Sequence, residues 1–409
     1  MPNYLAPGVY VEEVPAAVKP IAGVGTSTAG FIGISANITR AWDPAKKTGM
    51  PAGPTGDAYT QAPAQRAQLI TSWTEFTQKF GEIQESNQYL AHAVYGFFNN
   101  GGTQCWVTRL AAVGDLAENL DNVLEEFEAK DEIAIVAAPL PPTLDAAALN
   151  AVHAALVAHC ERTSDRVAVL DSTRDIADGN LVLSADATGI WRPSNPKGYG
   201  AFYFPWVEVA DPLGDVGARL AVPPSGHVAG IYARSDAQRG VHKAPANEIV
   251  LGALGTHYPV SKSRQDLLNP VGVNCIRAFG GTIKVYGART LASDPQGDPE
   301  WTYVNVRRLV NFLRESIDEG TQWVVFEPNA SELWSKIRRN VGAFLTTQWT
   351  AGALLGNTPE QAFYVRCDET TNPQEVRDLG RVVTEVGVAI VKPAEFVIFR
   401  LSQWAGAAQ

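Results

Sequence analysis

Residues 105–139 read CWVTRLAAVGDLAENLDNVLEEFEAKDEIAIVAAP, and this stretch decides the fold class. It opens with a short run typical of a β-strand, continues through an amphipathic helical pattern, and returns to an apolar run at Ile133. Short apolar runs separated by helices predict right-handed crossover connections and a mostly parallel sheet. The stretch therefore predicts an α/β fold.

The same alternation continues on both sides of this stretch. Helical patterns cover residues 73–81 and 87–102, and a third helix over 145–162 leads into the strand-like run RVAVLDS at 166–172. Further on, apolar residues spaced at three and four from Val306 to Ile317 predict an amphipathic helix, with Arg307 and Arg308 away from its apolar face. Ser331 is the expected N-cap of another helix.

Composition and charge exclude several classes of protein. The 409 residues include 43 acidic and 33 basic side chains, giving a net charge of −10, and no long basic run that could follow a phosphate backbone. Nucleic acid is therefore not expected as a partner. Two uncharged runs, 20–39 and 341–359, are about as long as a helix that crosses a membrane. Their Gly, Thr, Ser and Gln content argues against membrane insertion.

The cysteines and the N-terminus predict assembly in a reducing compartment. The four cysteines are far apart in the sequence and form no C-x-x-C motif, so we expect buried, reduced thiols. The chain does not open with a basic segment followed by an apolar one, so export by a signal peptide is not expected. We therefore expect assembly in the cytoplasm. The cysteines are Cys105, Cys160, Cys275 and Cys367.

Both ends of the chain have strand patterns. Residues 3–14 read NYLAPGVYVEEV and are followed by a short segment bounded by Pro15 and Pro20, which predicts a stiff tether. Residues 394–406 read AEFVIFRLSQWAG and alternate apolar side chains after Pro393. The chain is therefore expected to begin and end with a strand.

Nine sequence motifs, which occur in the same order as in a known family, carry a resemblance that covers nearly the whole chain. It resembles the tail sheath proteins of contractile phage tails and contractile injection systems, and most closely those without large decorating domains. These motifs are consistent both with a phage tail and with an injection system. The motifs are APGVYVEEV, QRGVHKAPANE, LNPVGVNCIRAFGG, YGARTL, WTYVNVRRLVNFLRESI, FEPN, LWSKIRRNVGAFLTTQWTAGALLG, FYVRCDETTN and VKPAEFVIFRLSQ.

The resemblance implies a domain organisation and an exchange of terminal strands. It implies a donated strand and tether at 1–20, an α/β, subtilisin-like outer domain at 21–240 with an exposed loop near 41–64, and an α+β inner domain at 241–409. A lone terminal strand can satisfy its backbone hydrogen bonds at the edge of a neighbour's sheet. The residues expected to take part are Val9, Tyr10, Val11, Glu12, Phe396, Val397, Ile398 and Phe399.

The resemblance also implies a structural function and a set of partners. The expected protein is a non-enzymatic subunit that polymerises helically around an inner tube and contracts from a metastable extended state. Its partners are further copies of itself, the inner tube protein, and the baseplate and terminal cap proteins, within a particle assembled in the bacterial cytoplasm. No cofactor is expected. Arg307, Arg308, Arg338 and Arg339 are either a solvated face or a positive strip toward an acidic tube or a neighbour.

An enzyme is the competing hypothesis. Ser27, Asp171 and His227 lie in strings that resemble those of a serine protease, yet subtilisin-type enzymes have the order Asp, His, Ser. The α/β-hydrolase order fits, but Ala29 replaces the final glycine of G-x-S-x-G. The same GVGTSTAG stretch lacks the Gly-Lys-Ser/Thr of a phosphate loop. The residues His153 and His159 are six apart, a spacing that misses metal-binding geometry on one helix.

Overall fold

The computed structural model describes residues 20–51, 60–176, 192–293 and 297–398. In these ranges the helices are α1 (Trp73–Phe80), α2 (Gln88–Asn99), α3 (Leu116–Glu128), α4 (Ala146–Thr163), α5 (Ser225–Arg239), α6 (Lys262–Leu268), α7 (Val304–Thr321), α8 (Ser331–Thr350), α9 (Pro359–Ala362) and α10 (Gln374–Asp378). The strands are β1 (Ala29–Ile34), β2 (Gln68–Ile70), β3 (Cys105–Leu110), β4 (Ile135–Ala137), β5 (Val167–Asp171), β6 (Gly200–Phe204), β7 (Val207–Ala210), β8 (Arg219–Val222), β9 (Glu248–Ile249), β10 (Gly255–Thr256), β11 (Val273–Phe279), β12 (Thr282–Val285), β13 (Phe363–Arg366) and β14 (Glu385–Val388).

The largest sheet has nine strands in the order β2-β3-β1-β4-β5-β6-β11-β12-β9. Its six central strands, from β3 to β11, are parallel. At one edge β2 pairs antiparallel with β3, and at the other β12 pairs antiparallel with both β11 and β9. The helices between the first parallel strands serve as the crossovers that such a sheet requires. The prediction of an α/β fold with a mostly parallel sheet is confirmed.

Helices cover both faces of this sheet, because alternate side chains of each strand point to opposite faces. In β5, Val169 packs into one hydrophobic core, and the next residue, Leu170, packs into the other. The first core includes side chains of α1, α2 and α5, and the second includes those of α3, α4 and α6. All four cysteines are buried, as predicted.

The helices α2 and α5 approach each other closely through two glycines. A Cβ atom at Gly226 would collide with the backbone of Ala93, and one at Gly230 with the carbonyl oxygen of Phe97. Glycines four residues apart lie on one face of a helix, so together they bring the two backbones into contact.

The described residues divide into two compact units. The larger unit contains residues 24–315, 351–353 and 390–398, and the smaller contains 20–23, 316–350 and 354–389. In the smaller unit, α8 buries the apolar face predicted for it, from Leu333 to Leu345, and β13 pairs with β14 as an antiparallel ribbon. The domain boundaries at residues 20 and 240, with the loop near 41–64, stay a prediction. In the described part of the chain, no helix is long and apolar enough to cross a membrane.

Candidate assembly surfaces

The C-terminal segment of the larger unit is held at Glu395. Both carboxylate oxygens accept hydrogen bonds from Arg289, at 2.9 Å from Nε and 2.7 Å from Nη2. The Asn269 amide donates to Oε1 at 2.6 Å, and the Tyr303 hydroxyl donates to Oε2 at 2.9 Å. We refer to these four residues as the Glu395 clamp. A bidentate arginine pair with two further donors is among the stronger polar arrangements in proteins.

The clamp keeps the Glu395 carboxylate ionised. Burial alone would raise its pKa, but the hydrogen bonds from Arg289 and Asn269 lower the pKa below the ordinary value. The same contact raises the pKa of the Tyr303 hydroxyl, in addition to the effect of burial, because Tyr303 donates to a charged oxygen. The segment is therefore held by a charged contact at neutral pH.

The three residues after Glu395 expose their apolar side chains. The exposed fractions are 72% for Phe396, 71% for Val397 and 78% for Ile398. Three consecutive large apolar side chains at this exposure form the kind of patch that is common at interaction sites. These residues belong to the segment predicted for strand exchange. Their predicted role stays a prediction, and Val9, Tyr10, Val11, Glu12, Pro15 and Phe399 lie outside the described residues.

The ribbon of β13 and β14 is the second surface suited to assembly. In the described part of the chain it is a two-stranded sheet, and Tyr364 and Val386 are 56% and 37% exposed. The Tyr364 ring covers Gly387, its partner in the ladder. The edges of a two-stranded ribbon can accept further strands.

The alternative that Arg307 and Arg308 lie on a solvated face of their helix is wrong. Each is only 4% exposed in α7. The Arg307 guanidinium packs against the rings of Trp301 and Tyr199, and its burial lowers its pKa to about 10. Sequence spacing treated these charges as solvated, whereas aromatic rings and a buried carboxylate receive them. A contact of either arginine with an inner tube stays a prediction, and burial leaves them little surface to make it.

Arg338 and Arg339 differ from each other in the smaller unit. The Arg338 guanidinium donates to the carbonyl oxygen of Cys367 at 2.5 Å and to the Ser335 hydroxyl at 3.2 Å. Arg339 is exposed on the same helix, α8. Of the four predicted arginines, Arg339 therefore has the most accessible charge for a partner.

Two members of the hypothetical serine triad, Ser27 and Asp171, are far apart. Ser27 precedes β1, whose first residue, Ala29, is level with Val167 of β5 through the intervening strand β4. Asp171 is the last residue of β5 and lies at the opposite end of the parallel strands. Six residue steps along parallel strands separate the two levels by about 20 Å, so Ser27 and Asp171 cannot act together. His227 is fully buried, and its pKa is lowered to about 4 by burial.

Neither a phosphate site nor a metal site is supported by the described residues. The glycine-rich stretch before β1 leads into a strand and not into a helix N-terminus, which a phosphate loop requires. Both His153 and His159 are buried in α4, and burial lowers their pKa values to about 3 and about 4. Among the residues described, no cluster of His, Cys, Asp and Glu could hold a metal ion.

Two family descriptions match most of the chain. "Phage tail sheath protein central domain" matches residues 115–291, and "Phage tail sheath C-terminal domain" matches residues 296–403. Together they cover well over half of the sequence. The chain therefore belongs to the phage tail sheath family, as the sequence motifs predicted.

Solved sheath structures have the same fold over nearly the full length. The helical sheath of the anti-feeding prophage in its contracted state is 29% identical with a TM-score of 0.74, covering 98% of this chain and 99% of the other. The contracted sheath complex of the extracellular contractile injection system PVC is 25% identical with a TM-score of 0.73, covering 99% of each chain.

The curated tail sheath proteins match this chain over part of their own length. The tail sheath protein of Vibrio phage KVP40 is 28% identical over 182 residues, which make up 44% of this chain and 25% of the relative. The chain spans between about a quarter and a half of the length of the curated relatives it matches. The two injection-system sheaths match over nearly the full length of both chains.

Proposed function

We propose that this chain is the structural subunit of a contractile sheath, which polymerises helically around an inner tube and contracts from a metastable extended state to drive that tube through a target envelope. The observation that carries the proposal is the exposed triplet Phe396–Ile398 directly after the Glu395 clamp. Membership of the sheath family and similarity to two contracted sheaths support it.

The arrangement explains how copies of one chain could form a lattice. The Phe396–Ile398 segment leaves the larger unit with its apolar side chains exposed, and the ribbon of β13 and β14 has edges that can accept a strand. We assign this ribbon as the acceptor of strands donated by neighbouring subunits, including the N-terminal segment around Val9–Glu12. A single added strand binds weakly, but many such contacts along a helical lattice act together.

Contraction requires no catalytic chemistry in the subunit. Two packings of the same rigid subunit, separated by a barrier, can store free energy at assembly and release it later. The further partners are the inner tube, the baseplate and the terminal cap, and the subunit is a component of a phage tail or an injection particle. Exposed Arg339 is the candidate for an acidic partner surface.

The proposal also takes the chain to be non-enzymatic. The separation of Ser27 from Asp171 and the burial of His227 support this view. A fluorophosphonate probe should leave the purified chain unlabelled, and Ser27→Ala should change no property of it. Labelling that Ser27→Ala abolishes would contradict this part of the proposal.

Deletion of residues 396–409 tests the role of the C-terminal segment. The shortened chain should stay soluble with the unfolding transition of the full chain, because the deleted apolar side chains at 396–398 are exposed in the subunit. It should form no tubes in electron micrographs under conditions where the full chain does. Normal tubes from the shortened chain would show that this segment is not part of the lattice.

A further inference from the structure

The partners of Glu395 are themselves held rigidly. The Asn274 side chain, which is fully buried, accepts from the Arg289 backbone N–H at 2.7 Å and donates to the Arg289 carbonyl oxygen at 2.7 Å. Arg289 also forms an isolated antiparallel bridge with Tyr303. Both donors therefore approach Glu395 from backbone positions that are fixed by the fold, and not from mobile surface side chains.

A second contact holds the same segment four residues earlier. The buried Asn305 amide donates to the carbonyl oxygen of Val391 at 3.2 Å and to that of His242 at 2.8 Å. Between Val391 and Glu395, successive residues alternate between half-buried and exposed, as expected of an extended chain with one face against the protein. The segment is thus held at two points before the run of three consecutive exposed apolar residues that starts at Phe396.

This geometry has an energetic consequence for binding. Ordering one residue of a free chain costs about 1–2 kcal/mol in conformational entropy, which a flexible terminal strand would lose at the moment of binding. A segment that is already fixed up to Glu395 has lost most of that conformational entropy on folding. The direction in which the chain continues after Glu395 is also fixed. The partly buried ion pair between Arg289 and Glu395 also holds the segment against a pull along it.

We propose that the Glu395 clamp is a positioning device that fixes the root of the donated C-terminal strand, so that Phe396–Ile398 are presented to a neighbouring copy of this chain in one orientation. The inference rests on the proposed sheath function and adds residues to it. The residues of the Glu395 clamp would then act in assembly through the strand that they hold, and not by contacting the neighbouring copy. They are Asn269, Arg289, Tyr303 and Glu395.

The substitution Glu395→Gln tests the proposal, because it keeps the shape of the side chain and removes the charge that Arg289 contacts. We expect the critical protein concentration for tube formation, measured by pelleting and electron microscopy, to rise roughly tenfold, the effect of losing one charge-assisted contact. The midpoint of thermal unfolding should stay close to that of the parent. Glu300→Gln, the same change at an exposed glutamate of the larger unit, should match the parent in both measurements.

A critical concentration equal to that of the parent would overturn the proposal. If Glu395→Gln does not fold, Tyr303→Phe decides, because it removes one donor and keeps the ring: a smaller rise supports the clamp, and no rise overturns it. Failure of the parent and of Glu300→Gln to form tubes at any concentration would contradict the proposed sheath function, and the clamp with it. That result is distinct from a defect confined to the clamp variants.

Discussion

Arg308 and Asp236 form a buried bidentate ion pair in the larger unit. Nη1 lies 2.9 Å from Oδ1 and Nη2 lies 2.5 Å from Oδ2, with the two side chains 3% and 7% exposed. Arg308 also donates to the carbonyl oxygen of Thr26 at 2.9 Å, and the Thr26 hydroxyl donates to Asp236 at 2.6 Å. The pair therefore joins α7, α5 and the segment that precedes β1.

Removing one member of this pair should destabilise the protein strongly. Arg308→Met would leave the Asp236 carboxylate buried without its counter-ion, which costs about 3–5 kcal/mol. Arg314→Met, at an exposed position on the same helix, is the matched control and should have a small effect. Urea unfolding measures both free energies, and equal values for the two variants would show that the ion pair does not contribute as the geometry indicates.

The close approach of α2 and α5 gives a second prediction. Gly230→Ala places a methyl group against the carbonyl oxygen of Phe97 and should cost about 1–3 kcal/mol of unfolding free energy. Gly342→Ala in α8 has open space around the new methyl group and should stabilise by about 0.5–1 kcal/mol. The two changes in unfolding free energy, measured in urea, should therefore have opposite signs. This difference distinguishes a packing effect from a general effect of replacing a helical glycine. A stable Gly230→Ala variant would contradict the packing.

The buried Asp171 carboxyl gives a prediction of pH dependence. Burial raises its pKa to about 7, even though its Oδ1 accepts a hydrogen bond from the Ser225 backbone N–H at 2.8 Å. Because the folded pKa exceeds the unfolded one, the folded protein holds an extra proton between about pH 4 and pH 7, and stability falls as the pH rises across this interval. The stability of Asp171→Asn should therefore be closest to that of the parent near pH 4 and exceed it most at pH 8. Equal stability at both values would contradict this account.

The exposed triplet gives a prediction about assembly alone. Val397→Asp changes a side chain that is 71% exposed, so the unfolding free energy should not change, yet tube formation should be lost because the charge would have to enter a neighbour's apolar surface. Val216→Asp, at a fully exposed valine elsewhere in the larger unit, should alter neither property. Both are measured by unfolding and by electron microscopy. Tubes formed by Val397→Asp would show that this position is not covered in the lattice.

The helices and strands could be predicted from the sequence because the spacing of apolar residues reflects which side chains are buried. The strand at 105–110 and the helices at 73–80 and 331–350 lie where their apolar patterns predicted them. The pattern failed at Arg307 and Arg308, because hydrophobic periodicity assumes that charged side chains face water. Arg308 is buried with Asp236, a partner 72 residues away in the sequence, and local spacing carries no information about such a pair.

The Glu395 clamp was missed for the same reason. Its members come from positions 269, 289, 303 and 395, which the fold brings together. One signal was present in the sequence, since Glu395 is the single acidic residue of residues 391–409 and directly precedes four apolar residues, 396–399. A charge in such a place indicates a specific partner, although only the structure identifies Arg289 as that partner.

The central claim is that one chain forms a tubular lattice with two states. Electron microscopy of the purified full-length protein, before and after exposure to mild denaturant, tests it most directly. The account predicts long striated tubes that convert from a narrow extended form to a shorter and wider form. A monodisperse monomer at high protein concentration, or tubes that dissolve without ever changing diameter, would contradict it.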